Sequence, residues 1–148
     1  MVLKFDKRKL VKFNPKVVKY IVMHHIAGSG LTIEDIHRIH LNNGWAGCGY
    51  HYYVRFDGHV LVGRPIEYVG SHCLGKNTIS VGIALEGDFR KDKPTDAQIK
   101  SVKELIPHIR EIYPKITHVM NHRDLYPTLC PVVDLKDMVT DGKHGRLD

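Results

Sequence analysis

The chain has 148 residues, of which 43% are hydrophobic and 26% are charged. This composition argues against a disordered chain, and the length is that of one soluble domain, which we expect to span residues 1–148. Twenty-two Lys and Arg against 16 Asp and Glu give a net charge of +6. This charge favours an anionic partner, such as a nucleic acid, a membrane surface or a cell-wall polymer.

The basic N-terminus has the pattern of neither a membrane span nor a secretory signal. No stretch approaches the roughly 20 apolar residues of a span, and charges and Pro15 interrupt every apolar run near the start. We therefore expect a protein made in the cytoplasm without a signal peptide. Cys48, Cys73 and Cys130 are an odd number of thiols and too few for a disulfide scaffold, so they are candidate metal ligands.

The first half of the chain alternates between strand and helix patterns. Residues 17–24 are rich in β-branched and aromatic side chains, which predicts a buried strand. Thr32 and Asp35 have the spacing of a capping box and predict the start of a helix. Residues 50–64 alternate with period two on both sides of an Asp-Gly pair at Asp57, which predicts a β-hairpin.

The second half continues this alternation. Residues 79–86 predict a central strand, and a capping pattern at Thr95 predicts a second helix. Pro107 lies inside the apolar pattern of that helix, so we expect a kink or a division there. Residues 116–120 predict a short strand and residues 134–139 a last helical turn. Together these elements predict an α/β domain with one central mixed sheet flanked by helices.

His122 and Cys130 are the best candidate pair of metal ligands. Zinc binds imidazole nitrogens and thiolates, and a catalytic zinc site keeps three protein ligands and a water. The two residues lie in one short segment rich in turn formers, which can fold back and present both side chains to one ion. On spacing alone, a surface histidine and a buried structural thiol is an equally good interpretation.

A third ligand must come from elsewhere in the chain. His24 and His25 end the first predicted strand, and adjacent strand residues point to opposite faces, so at most one of them can easily face the same site. His37 and His40 lie three residues apart on the first predicted helix and are an alternative pair. No thiol or carboxylate in a suggestive loop accompanies them, which makes them the weaker pair.

Four segments of the chain form a pattern when they are taken in order. They are YIVMHHIAG at 20–28, NNGWAGCGYHYYVRFDG at 42–58, VGSHCLGKNTISVGIALEGDF at 69–89 and HRDLYPTLCP at 122–131. In this order they resemble the zinc-dependent N-acetylmuramoyl-L-alanine amidases of type 2, a family that includes short phage lysis amidases and the peptidoglycan recognition proteins. The resemblance covers nearly the whole chain and implies a peptidoglycan-recognition-protein-like fold.

The resemblance also implies the metal and its ligands. Carried across residue by residue, it assigns a Zn²⁺ ion to His24, His122 and Cys130. His24 is preferred to His25 because the ligand histidine of the family directly follows the apolar strand residues. A site of this kind leaves one coordination position for a water, whose pKa zinc lowers to about 7.

Three further roles follow from the resemblance. Tyr50 matches a catalytic tyrosine beside the metal water, although period-two alternation would place Tyr52 on the same strand face. Thr128 stands where some members carry lysine, and its hydroxyl is a neutral donor to an oxyanion. His72 matches a substrate-binding histidine of the groove. Each residue also has a structural alternative: Tyr50 could be a core aromatic, Thr128 could bond the loop backbone, and His72 could be an exposed loop histidine. Trp45 is better explained by packing than by sugar binding.

The resemblance implies hydrolysis of the amide between N-acetylmuramic acid and L-alanine in bacterial peptidoglycan. We expect a monomeric phage or prophage endolysin that acts on the wall after release and binds muramyl peptides, with recycling of wall fragments as a variant. The alternative is a non-catalytic peptidoglycan-binding module of the same fold, against which the presence of all three ligands counts. We expect no nucleic-acid binding, because the basic residues form no dense block beyond residues 7–12 and no nucleic-acid fold signature occurs.

Overall fold

A computed structural model describes residues 3–148 and places five strands in one sheet. The strands are β1 (Tyr20–His25), β2 (Tyr52–Val54), β3 (Val60–Val62), β4 (Ser80–Leu85) and β5 (His118–Asn121). Their order is β3-β2-β4-β1-β5. β1 runs parallel to β4 and β5, β2 runs parallel to β4, and β2 and β3 form the antiparallel hairpin. The mixed sheet and the hairpin confirm the predicted fold class.

Four helices accompany the sheet: α1 (Ile33–Asn42), α2 (Asp96–Ile112), α3 (His122–Leu125) and α4 (Leu135–Val139). Both predicted capping boxes are present, with the hydroxyls of Thr32 and Thr95 accepting backbone N–H groups of the first helical turn. Among residues 3–148, no helix is long and apolar enough to cross a membrane. Short 3₁₀ turns occur at 7–9, 15–17 and 77–79.

Pro107 does not divide the second helix, contrary to one of the two outcomes that the sequence predicts. α2 is continuous from Asp96 to Ile112 with Pro107 on its exposed side. Proline removes one backbone hydrogen bond, which costs a helix about 3 kcal/mol or more in an exposed interior. The buried side chains of Val102, Ile106 and Ile109 hold both halves of α2 against the sheet, and their burial offsets this loss.

The sheet has one hydrophobic core on each face. α2 and α4 cover the larger core, whereas α1 covers a smaller cluster around Tyr53 and Cys48. β1 and β4 are buried nearly along their whole length, as expected for central parallel strands.

The parallel strands bring three chain segments to one edge of the sheet. Met23 in β1 pairs with Asn121 in β5, so His24 and His122 follow at neighbouring positions beyond that pair. His24 also pairs with Ala84 near the end of β4. Clefts of open α/β sheets form outside the carboxyl ends of such strands, and the candidate site lies there.

Candidate active site

His24, His122 and Cys130 meet at the carboxyl edge of the sheet. One potential ligand atom from each residue lies within 4.8 Å of the other two. The rings of His24 and His122 have centroids 4.5 Å apart. These three residues are the only group of this kind among the residues that the structure describes, and they are the three that the sequence resemblance implies. We call these three candidate ligands the metal group.

The segment between His122 and Cys130 folds back through backbone hydrogen bonds. The Arg123 N–H donates to the Cys130 carbonyl oxygen at 2.8 Å, which fixes the two ends of the segment together. Its many turn formers predict a loop, but its first turn is the helix α3. A capping interaction accounts for that turn, because the Asn121 N–H donates to the Asp124 carboxylate at 2.8 Å.

The donor set and its environment fit a zinc ion. The Nε2 atom of His122 is buried and has no hydrogen-bond partner among residues 3–148, and a bound metal ion would satisfy it. Burial lowers the pKa values of His24 and His122, which keeps both imidazoles neutral and able to coordinate. Burial also raises the pKa of Cys130 to about 11, and a nearby cation would favour the thiolate. The His25 N–H donates to Cys130 Sγ at 3.4 Å and supports a negative sulfur.

His72 contacts the metal group directly. Its Nδ1 atom lies 2.9 Å from Nε2 of His24 in a buried hydrogen bond, and its Nε2 atom lies 3.5 Å from the Ser80 hydroxyl. The family resemblance implies substrate binding by His72, and His72 does line the cleft. Its bond to His24 is an additional contact that orients a candidate ligand, and no sequence pattern predicts it.

His25 points away from the three candidate ligands. Its Nδ1 atom accepts the Phe89 N–H at 3.1 Å, and its ring stacks on the Phe89 ring with centroids 5.7 Å apart. His37 and His40 are also engaged with backbone, accepting the N–H groups of Cys48 and Gly49. All three imidazoles have roles in holding loops, which explains why they do not join the metal group.

Tyr50 lies beside His24, with ring centroids 5.1 Å apart. Burial raises the pKa of Tyr50, so its hydroxyl stays protonated and remains a donor. The predicted alternation with Tyr52 is wrong. Tyr50 precedes β2 across a bend at His51 and packs with the smaller cluster, whereas Tyr52 packs in the larger core. The bend separates Tyr50, which reaches the cleft, from Tyr52 and Tyr53, which do not.

Thr128 lines the cleft and supports the loop that carries Cys130. Its hydroxyl oxygen accepts the Cys130 N–H at 3.3 Å, which is the backbone-bonding role that the sequence analysis keeps as an alternative. The hydroxyl hydrogen of Thr128 is not needed for this contact. It therefore remains available as a donor toward the cleft.

A cleft of about 820 Å³ opens above the metal group. Its rim carries the half-exposed ring of Trp45. The same ring packs against His40 with centroids 4.7 Å apart, so Trp45 both lines the groove and makes a packing contact. The other large hydrophobic side chains exposed on its rim are Leu74, Tyr126 and Leu129. An apolar rim around a few polar groups is typical of a ligand-binding cleft.

Among residues 3–148, Arg90 is the only cleft-lining residue with a permanent charge, and the sequence pattern does not predict it. Its Nε and Nη2 atoms donate to the buried Asp88 carboxylate at 2.9 and 2.7 Å. Two thirds of the Arg90 side chain is exposed. Asp88 thus fixes the guanidinium at the cleft while leaving Nη1 available to an anionic ligand.

Glu86 directly follows β4 but does not reach the metal group. Its carboxylate accepts the N–H groups of Gly30 and Phe56 and pairs with Arg55 at 3.1 Å. These contacts join the loop after β1 to the hairpin. Glu86 is therefore a structural residue, which agrees with its omission from the predicted site.

Comparisons with known proteins point to one family. The family model for N-acetylmuramoyl-L-alanine amidase matches residues 14–132. An endolysin of Enterobacteria phage K11 is 35% identical over 79% of this chain and 80% of its own length. The solved amidase LysC from Clostridium intestinale shares 39% identity with a TM-score of 0.77, covering 82% of this chain and 80% of that one. Peptidoglycan recognition protein-LE, solved with tracheal cytotoxin, a monomeric diaminopimelic acid-type peptidoglycan, shares 28% identity with a TM-score of 0.77 over 86% and 81%.

Proposed function

The chain belongs to the N-acetylmuramoyl-L-alanine amidase family, and we propose that it cleaves the muramoyl–L-alanine amide of peptidoglycan with a zinc ion held by His24, His122 and Cys130. The observation that carries the zinc proposal is the convergence of these three ligand atoms within 4.8 Å at the base of the cleft. Neutral imidazoles and a thiolate are the ligands that zinc prefers. When bound, zinc polarises the scissile carbonyl and supplies hydroxide at neutral pH.

The surrounding side chains position the ligands and meet the developing charge. His72 orients the His24 ring through the 2.9 Å hydrogen bond. The protonated hydroxyl of Tyr50 donates to the attacking water or to the oxyanion of the tetrahedral intermediate. The Thr128 hydroxyl, held by the Cys130 N–H, is a second neutral donor. With neutral donors only, charge stabilisation depends mainly on the metal.

The cleft is proposed to bind a muramyl peptide, as its relative peptidoglycan recognition protein-LE binds a monomeric peptidoglycan. The stem peptide of peptidoglycan carries carboxylates, and Arg90 offers a guanidinium already fixed by Asp88. The exposed ring of Trp45 offers an apolar surface for the sugar. The enzyme would therefore recognise the substrate from both sides of the scissile amide.

The biological role follows from the phage relatives. We propose a phage or prophage endolysin that acts as a monomer on the cell wall after its release, with residues 1–148 forming one catalytic domain. The 35% identity to the endolysin of phage K11 over four fifths of both chains supports this role.

Product analysis on purified peptidoglycan tests the reaction. We expect new L-alanine amino groups and no new reducing sugar ends. Reducing ends would mean glycan cleavage and would overturn the reaction. If neither product formed while the protein still sedimented with the wall, the chain would be a binding module of the same fold.

A further inference from the structure

The net charge of the chain is concentrated in its first 19 residues. Seven of the 22 basic residues and one of the 16 acidic residues lie there, so this segment alone carries a net charge of +6. The rest of the chain has 15 basic and 15 acidic residues and is therefore neutral overall. We call residues 4–19 the cationic strap. All its basic side chains are exposed to solvent, namely Lys4, Lys7, Arg8, Lys9, Lys12, Lys16 and Lys19.

The cationic strap is fixed to the domain by two aromatic anchors. The Phe5 ring meets the His37 ring edge-on with centroids 4.7 Å apart. Phe13 is only 8% exposed and meets the Tyr113 ring edge-on at 5.3 Å. Because these rings hold the strap on both sides of its basic run, the cations are presented from a defined surface.

Backbone hydrogen bonds tie the cationic strap to the segments that form the cleft. The Asp6 N–H donates to the Ala46 carbonyl at 2.8 Å, and the Val69 N–H donates to the Val11 carbonyl at 2.7 Å. The Lys9 ammonium donates to the Gly44 carbonyl at 2.7 Å, one residue before the cleft residue Trp45. The strap therefore runs beside the cleft rim and is separate from the metal group.

We propose that the cationic strap binds peptidoglycan outside the cleft and holds the enzyme on the wall while the cleft acts. The anions are the carboxylates of the stem peptides, which repeat along the wall as the cations repeat along the strap. This inference rests on the proposed function, which places the enzyme at the wall. A concentrated patch of one sign attracts such a polymer, whereas an even distribution of the same charges would not.

The strap fits a polymer better than a lipid bilayer. The large hydrophobic side chains of the strap that are more than one third exposed are Val11 and Val17. Neither is an aromatic side chain of the kind that anchors proteins at a membrane interface. Its regular structure consists of two 3₁₀ turns, at 7–9 and 15–17, whereas interfacial membrane binding uses an amphipathic helix with a broad apolar face.

Two matched variants test the proposal. The strap variant carries Lys4→Gln, Lys7→Gln, Lys12→Gln and Lys16→Gln, and the control carries Lys91→Gln, Lys93→Gln, Lys100→Gln and Lys115→Gln. All eight side chains are exposed and form no hydrogen bond or ion pair within residues 3–148. Both sets lower the net charge by the same four units, so only the position of the charge differs.

The assay is cosedimentation with insoluble peptidoglycan at low salt, with a chelator present to prevent cleavage. We expect the strap variant to bind about tenfold more weakly or worse, the control to stay within about twofold of the wild type, and added salt to remove the difference. Wall stripped of any accessory polymer identifies the anion. Strap-dependent binding that is retained supports the stem-peptide carboxylates, and binding that is lost with the accessory polymer would overturn this assignment.

Equal wall binding by the two variants would overturn the proposal. So would a strap-specific loss of binding to anionic lipid vesicles or DNA with wall binding unchanged. Cleavage of a soluble muramyl peptide is measured in parallel and is expected to be the same for both variants. Failure of the wild type to cleave that peptide would count against the proposed reaction and leave the strap result intact.

Discussion

The Nε2 atom of His24 lies 2.9 Å from the Nδ1 atom of His72, and this bond links a candidate zinc ligand to a histidine from a segment 48 residues away. Both imidazoles are buried, and burial lowers the pKa of each. The contact joins the end of β1 to the loop before β4. It makes the orientation of this candidate ligand depend on the wall of the cleft.

Replacing His72 by Phe tests this link. We expect the zinc dissociation constant to rise about 10–100-fold, because a ligand histidine loses its hydrogen-bond partner while the packing is kept. Competition with a fluorescent chelator measures this constant, and KM for a soluble muramyl peptide is measured beside it. An unchanged zinc affinity with a raised KM would limit His72 to substrate binding.

Gly82→Ala perturbs the same histidine from the other side. A Cβ atom at Gly82 would lie 2.6 Å from Cγ of His72, so the ring must move. We expect a loss of about 1–3 kcal/mol in the free energy of unfolding and a weaker zinc site. Gly28→Ala is the control, because a Cβ atom there meets nothing within 4 Å. Chemical denaturation with equal losses for both variants would contradict the steric argument.

Arg90→Gln probes recognition of the anionic stem peptide. The substitution removes the permanent charge of the cleft and leaves the metal group in place. We expect KM to rise about tenfold or more with little change in kcat, since a charge-assisted hydrogen bond contributes roughly 1.5–3 kcal/mol. Lys91→Gln removes a neighbouring exposed charge outside the cleft and is the control. A fall in kcat alone would show that Arg90 does not act in substrate binding.

His51 makes the stability of the fold depend on pH. This buried imidazole accepts the Gly82 N–H at Nδ1, bonds the Tyr68 carbonyl at Nε2, and has a pKa lowered by burial to about 4. An unfolded histidine has a pKa near 6.5, so the unfolded chain binds more protons between these values. The contribution of neutral His51 to the free energy of unfolding is therefore complete above pH 6.5 and is lost as the pH falls toward 4. We expect this loss to be about 3 kcal/mol.

Denaturation at several pH values measures this loss, with chelator present throughout so that metal release does not contribute. In His51→Gln the side chain cannot take up the proton. We expect its unfolding free energy to fall less between pH 7 and pH 4 than that of the wild type. Parallel pH profiles for the two proteins would contradict the assignment.

The local elements could be predicted because their signals are local. The Thr32–Asp35 and Thr95–Gln98 capping boxes and the turn at Asp57 each depend on residues a few positions apart. The choice of His24 over His25 followed the position of the family motif, and the structure brings His24 rather than His25 to the other two candidate ligands.

The missed features have no signal in the local sequence pattern. The bond between His24 and His72 joins segments that only the fold brings together. Asp88 and Arg90 are two positions apart, but only the fold places their pair at the cleft. The bend at His51 breaks the period-two pattern between Tyr50 and β2, and nothing in the sequence marks it. A prediction from periodicity assumes an unbroken strand, and that assumption fails at Tyr50.

We infer that zinc held by His24, His122 and Cys130 carries the amidase reaction. The most direct test is the rate of L-alanine amino-group release from peptidoglycan before chelation, after chelation and after zinc is restored. Cys130→Ala is compared with Cys73→Ala, which alters a thiol of the same cleft outside the metal group.

We predict that chelation abolishes the rate in the wild type and in Cys73→Ala and that zinc restores it in both. We predict that Cys130→Ala is slower by about a thousandfold or more and is not rescued by zinc, while it still binds the wall. Full activity after chelation, or a wild-type rate in Cys130→Ala, would contradict the account.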